Sequence, residues 1–175
     1  VLADLSPLIA ATTQWLTLSY PACGGALAAA LSEVQARQAV TVAAWLRYPT
    51  PTDAALVQMA GPGGTAGLDW ITGADPAGHD DADDSAWRTW VDEVVASWAA
   101  CLLSDGELAR LAIARLANGG GTPGAPVEFR RLVSPDTRDR EAAALLRHPD
   151  LVAPVAALHR PALHERIDPG RALTA

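Results

Sequence analysis

Apolar residues recur at helical spacing along most of this chain, and proline, glycine or a small polar residue interrupts each run. Ser6-Pro7 opens the first run. Serine is a favoured N-cap and proline suits the first turn, so the pattern predicts a helix over 7–20 that ends at Pro21. Leu8, Thr12, Trp15, Leu16 and Ser19 share one face of it, and Thr13, Gln14 and Thr17 the other. Leu27, Leu31, Val34, Val42 and Trp45 then align along a longer predicted helix, 24–47, stopped by Tyr48-Pro49. Gln38 lies in the middle of that stripe. A buried glutamine without partners costs about 1–3 kcal/mol. Gln38 therefore reads as an interhelical hydrogen-bonding group or as the lining of a pocket.

A short helix is predicted over 52–60, followed by the loop GPGGTAG. LDWITG reads as a short strand or a helical turn, and ADPAGHDDADD as a polar loop. The clearest pattern is a helix over 85–103, with Trp87, Val91, Val94, Val95, Trp98, Cys101 and Leu102 on one stripe. Arg88, Thr89, Asp92, Glu93 and Ala96 lie opposite, and Trp90 sits at the stripe's edge, where tryptophan serves either core packing or a partner interface. Ser104 and Glu107 form a capping-box pattern for a helix over 105–117, closed by Asn118-Gly119. Arg115 falls on the side of Leu108, Leu111 and Ala112. It reads as a snorkelling side chain at the negative helix end or as the partner of an anion.

NGGGTPGAP, 118–126, is a linker by composition, and VEFRRLV reads as a lone strand or an extended segment. Two short helices follow, the second interrupted by Pro154 and opened by Asp150 as N-cap, and then a polar tail. The pattern predicts a mainly α fold: a single-domain antiparallel helical bundle with a glycine-rich linker and short C-terminal helices. Its helical core is 1–117, and an arginine-bearing segment over 127–175 packs on that core.

Composition narrows the chemistry. Half of the 175 residues are hydrophobic, which suffices for a folded core without disulfides. All 13 basic residues are arginine, which excludes a Schiff-base lysine and a Walker A lysine. With the alanine, glycine and proline content, the arginine bias suggests a GC-rich bacterial genome. The charge is polarised: residues 69–109 hold ten acids and only Arg88, whereas 110–175 hold ten arginines and seven acids. Such an acidic belt repels nucleic acid and attracts cations or a basic partner. No apolar run spans a bilayer and no signal-peptide pattern opens the sequence. Cys23 and Cys101 make no disulfide framework, so the expected compartment is the cytoplasm.

The candidate motifs are weak. Asp80, Asp81 and Asp84 match the DDxxD spacing with which prenyl-diphosphate enzymes hold magnesium, and His79 precedes them. Those enzymes place the motif on a helix wall facing a deep cavity, whereas here it falls in a loop before a helix. Asp83 or Asp84 as N-cap explains the stretch more simply, with a divalent cation at His79, Asp80, Asp81 and Asp84 as the weaker alternative. Gly61, Gly63 and Ala66 satisfy GxGxxA without the strand that a dinucleotide site needs. His148-Pro149-Asp150 spells the tripeptide of J-domain co-chaperones without their basic helix. No HExxH, CxxC or GxSxG pattern is present.

The leading expectation is a non-catalytic helical interaction or accessory protein that binds a partner protein or peptide, with a homo-oligomer left open. No cofactor is predicted. The binding candidates are Gln38, Trp90 and Arg115. The alternatives are a small helical enzyme, divalent-metal-dependent, with a pocket between helices 24–47 and 85–103, and a ligand-sensing helical domain with a closed apolar cavity.

Overall fold

The structure, a computed structural model, describes residues 4–74, 85–119 and 129–170. Helices α1 (Ser6–Ser19), α2 (Gly25–Arg47), α3 (Pro51–Ala60) and α4 (Ala66–Thr72) come first. A 3-10 turn, Ala86–Trp90, leads to α5 (Glu93–Ser104) and α6 (Gly106–Asn118). The rest comprises α7 (Arg130–Val133), α8 (Thr137–Ala142), α9 (Ala144–Arg147), α10 (Pro149–Ala157) and α11 (Arg160–Ile167). Among the described residues there is no strand, and the helices pack as the all-α bundle that the hydrophobic pattern predicts.

Helix α5 is the centre. Every residue from Val95 to Leu103 is buried, as expected of a helix that is apolar on all sides. Helices α2 and α10 pack along it, and α1 packs on α2. The buried face of α2 carries Ala36, Ala39, Val40, Ala43 and Ala44, all without exposed surface. Small side chains let two helix backbones approach closely. No water-sized space touches these side chains or Ala96, Ala99 and Ala100 of α5.

The inner face of α2 is therefore not the one that its large aliphatic residues mark. Leu27 is 67% exposed and Val34 41%, although Val42 is buried as predicted. On α1, Leu8, Thr12, Trp15 and Leu16 are buried as predicted, but Thr13 is buried as well.

Several local expectations are corrected. The helix predicted over 85–103 breaks at Val91 and Asp92, which are extended. Asp92 wins there as an N-cap: its Oδ1 accepts the Val95 N–H at 3.0 Å, and its own N–H reaches Thr12 Oγ1 at 3.2 Å. Asp92 and Ala96, assigned to the outer face, are consequently buried. The α5 cap thus lies well after Asp83 and Asp84, and Ser85, the residue before the 3-10 turn, makes no side-chain cap bond there. The cap of α6 is Asp105, whose Oδ1 accepts from the N–H groups of Glu107 and Leu108, while the Ser104 hydroxyl donates back to Ala100 O at 2.8 Å. The described part of VEFRRLV is the single helical turn α7, not a strand. LDWITG is helical and ends at Gly73, in the left-handed region at φ +70°. His148, not Asp150, precedes α10, with Asp150 in its first turn.

The C-terminal helices join the same core through Leu132, Leu146, Val152, Val155 and Leu163. A polar hub fixes them to α2. Gln35, fully buried, donates from Nε2 to Asp139 O at 2.9 Å and accepts from Arg147 Nε at 2.6 Å. Arg147 also donates to Arg131 O, and Arg131 pairs with the buried Asp139 carboxylate. Gln38 Oε1 accepts the Leu132 N–H at 3.0 Å. Helix α10 is tied to α5 in a comparable way, since Ala156 O accepts from both Ser97 Oγ and Cys101 Sγ at 3.2 Å.

Candidate partner-binding groove

The six tryptophans divide into roles that composition alone cannot assign. Trp15 and Trp98 are buried, and each indole N–H is satisfied at 3.0 Å, by Asp69 Oδ1 and His159 O respectively. Trp45 is half-buried edge-on to Phe129, and Trp87 lies under the Arg88 guanidinium. Trp70 is 88% exposed. Trp90, half-buried, lines an open groove of about 450 Å³ with Gln58, Met59, Gly61, Gly64 and Thr89.

The groove follows from local sequence. Pro51 and a Thr50–Asp53 capping box start α3, and the helix stops at Gly61 with φ +72°. Its last turn leaves Met59 79% exposed. Gln58 is tethered by its side chain to Asp4 O. The chain then runs through Pro62 and Gly63 to Gly64, whose N–H donates to Val91 O at 2.9 Å. Gly64 sits at φ +81°, where a side chain would be strained, and a Cβ at Gly61 or Gly63 would meet open space.

The opposite wall is the 3-10 turn, and a part-buried ion pair holds it. Arg88 pairs with the Asp69 carboxylate, which is buried and also takes the Trp15 indole N–H. Burial pushes the Asp69 carboxyl up, but hydrogen bonds from Trp15, Arg88 and Thr65 and the charge of Arg88 together hold it below the usual carboxylate range. Residues from α1, α4 and the 3-10 turn thereby fix the position of Trp90. Thr89 Oγ1 donates to Ala86 O at 2.8 Å and closes the turn.

The acidic belt is partly structural. Asp69, Asp92, Glu93, Asp105 and Glu107 all have partners inside the fold. The other five acids of the belt, Asp75, Asp80, Asp81, Asp83 and Asp84, precede the groove's 3-10 turn in sequence. They and His79 lie outside the described residues. Among the described residues, no three His, Cys, Asp or Glu side chains are grouped to hold a metal.

Sequence reasoning names Gln38, Trp90 and Arg115, and the structure does not bring them together. Gln38 bonds the α7 backbone, Trp90 lines the groove, and Arg115 lines a different cavity. Met59 went unnoticed because a lone methionine on a short helix has no pattern of its own.

Among the described residues, the shortest histidine–carboxylate contact is His159 Nε2 to Glu93 Oε1 at 2.9 Å. The His159 backbone is held as well, its N–H on Ser97 Oγ at 3.0 Å and its carbonyl on Trp98 Nε1. This cluster fastens the α10–α11 junction to α5. The nearby Cys101 is buried, and burial pushes its thiol above the usual range against a smaller opposing pull from Arg160. A protonated, enclosed thiol is a poor nucleophile. Among the described residues no helix is long and apolar enough to cross a membrane. No protein-family model matches the chain, nor does any curated protein or solved structure.

Proposed function

We propose that this protein is a non-catalytic helical interaction module that takes a short segment of a partner protein into the Met59–Trp90 groove. The observation that supports this most is the coincidence of a 79% exposed methionine, a half-buried tryptophan and an open glycine run on one surface. Methionine adapts its shape to different apolar groups, and tryptophan is enriched where binding energy concentrates. The glycine run leaves backbone accessible between them. The groove is open to solvent, and its volume of about 450 Å³ accommodates a few side chains of a peptide.

The charge supports a basic partner. The five aspartates of 75–84 precede the groove in sequence, and the chain carries a net −7. A segment with one or two apolar anchors flanked by arginine or lysine matches both features. The test is selection of peptides from a random library on immobilised protein, in parallel with Met59→Glu and Trp90→Ala. The expected result is a basic motif with an apolar anchor, enriched on the wild type and lost on both variants. A selection that yields no motif, or one that both variants retain, contradicts the proposal.

A further inference from the structure

A second cavity lies at the C-terminal end of α2. Trp45, Leu46, Pro49, Leu116 and Gly119 form its walls, with Arg115 of α6 and Arg166 of α11, and it measures about 150 Å³. No acid lines it. Among the described residues no carboxylate pairs with Arg115 or Arg166, in a chain whose acids outnumber its bases by 20 to 13. Asp53 and Glu165 line the adjoining groove, across Pro49 and Arg166.

The helix ends nearby offset only part of this charge. Arg115 and Arg166 stand in the last turns of α6 and α11, where carbonyl ends carry negative partial charge. Arg166 Nε donates to Leu46 O, near the end of α2, at 2.7 Å. Each helix end supplies about half an elementary charge, falling off within a turn. Three such ends offset at most about one and a half of the two guanidinium charges, and among the described residues the bond to Leu46 is the one hydrogen bond that Arg166 donates from its side chain. Arg115 has no side-chain acceptor among the described residues. Facing these donors is an apolar wall whose indole is fixed: Trp45 stands edge-on to Phe129, with centroids 6.0 Å apart.

We infer that this cavity binds a small organic acid, its carboxylate between Arg115 and Arg166 and its apolar body against Trp45, Leu46 and Leu116. The guanidinium fork matches a carboxylate in two parallel hydrogen bonds, and the apolar wall gives the remainder of the ligand its place. This site is separate from the Met59–Trp90 groove and shares no lining residue with it.

The test is a titration of the full chain with phenylacetate, followed by the Trp45 indole N–H resonance, which Trp45→Phe assigns. Inorganic phosphate at matched ionic strength serves as the second probe. A saturable Trp45 shift with phenylacetate is expected, weakened about tenfold or more in Arg115→Ala by loss of a charge-assisted fork. Arg115 is exposed, so the variant is expected to melt with the wild type. An absent or non-saturating shift overturns the inference, as does unchanged affinity in Arg115→Ala. Phosphate binding as tight as phenylacetate overturns the assignment of an apolar body.

Discussion

At the scale of single residues, buried polar groups decide which neighbours must meet. Asp69 is the clearest case, joining α1, α4 and the 3-10 turn through Trp15 and Arg88. Its carboxyl titrates below the usual range, so its stabilisation is complete above the unfolded value of about 3.9 and is lost as the pH falls through the lower folded value. The resistance of the wild type to urea should fall as the pH drops below about 4, and Asp69→Asn should flatten that dependence. Trp15→Phe keeps the ring and removes the donor, at an expected cost of about 1–3 kcal/mol near neutral pH. Gln35 was hidden from the sequence by a related problem. The Leu27–Val34 stripe draws attention to Gln38, and only the alanine face, on which Gln35 is fully buried, gives the hub its position.

At the scale of elements, the sequence reveals helices better than it reveals their inward faces. Proline and glycine punctuation marks α1, α2, α3 and α6 to within a residue or two, because the steric limits of those residues act locally. The inward face of α2 depends on what it packs against. Against a buried α5 rich in alanine, α2 buries Ala36, Ala39, Ala43 and Ala44, and Leu27 is left outside. Ala43→Leu should therefore cost about 1–3 kcal/mol by overpacking, whereas Leu27→Ala should stay within about 0.5 kcal/mol, both read from urea midpoints. Equal effects would place the wrong face inward. The break before α5 was equally unreadable, because Asp92 caps only where Thr12 and Tyr48 are brought to it by α1 and α2. Burial, then the adjacent Asp92 carboxylate, pushes the Tyr48 phenol far up, so Tyr48 is the donor to Asp92 at every ordinary pH. Asp92→Ala removes the cap and strands that hydroxyl; an expected loss of about 2 kcal/mol or more can be read from thermal melts.

At the scale of the whole molecule, the fold uses half of the acidic belt for its own caps and ion pairs, and the aspartates of 75–84 precede the groove's 3-10 turn. Trp90 was singled out as an edge residue, though on a continuous 85–103 helix that the structure breaks at Val91 and Asp92. Its companion Met59 was not, since the two meet only after the glycine loop is pinned to Val91 by Gly64. The proposed partner-binding surface draws on neither the His159–Glu93 contact, which fastens helices, nor the Cys101 thiol, which is enclosed. The central claim is tested most directly by the affinity of a basic, apolar-anchored peptide, selected on the wild type, for wild-type protein and for Met59→Glu. Fluorescence anisotropy at two salt concentrations gives both quantities needed. The account predicts a loss of about tenfold or more in Met59→Glu and weaker wild-type binding at the higher salt. Equal affinity for the two proteins, with both folded, would contradict it.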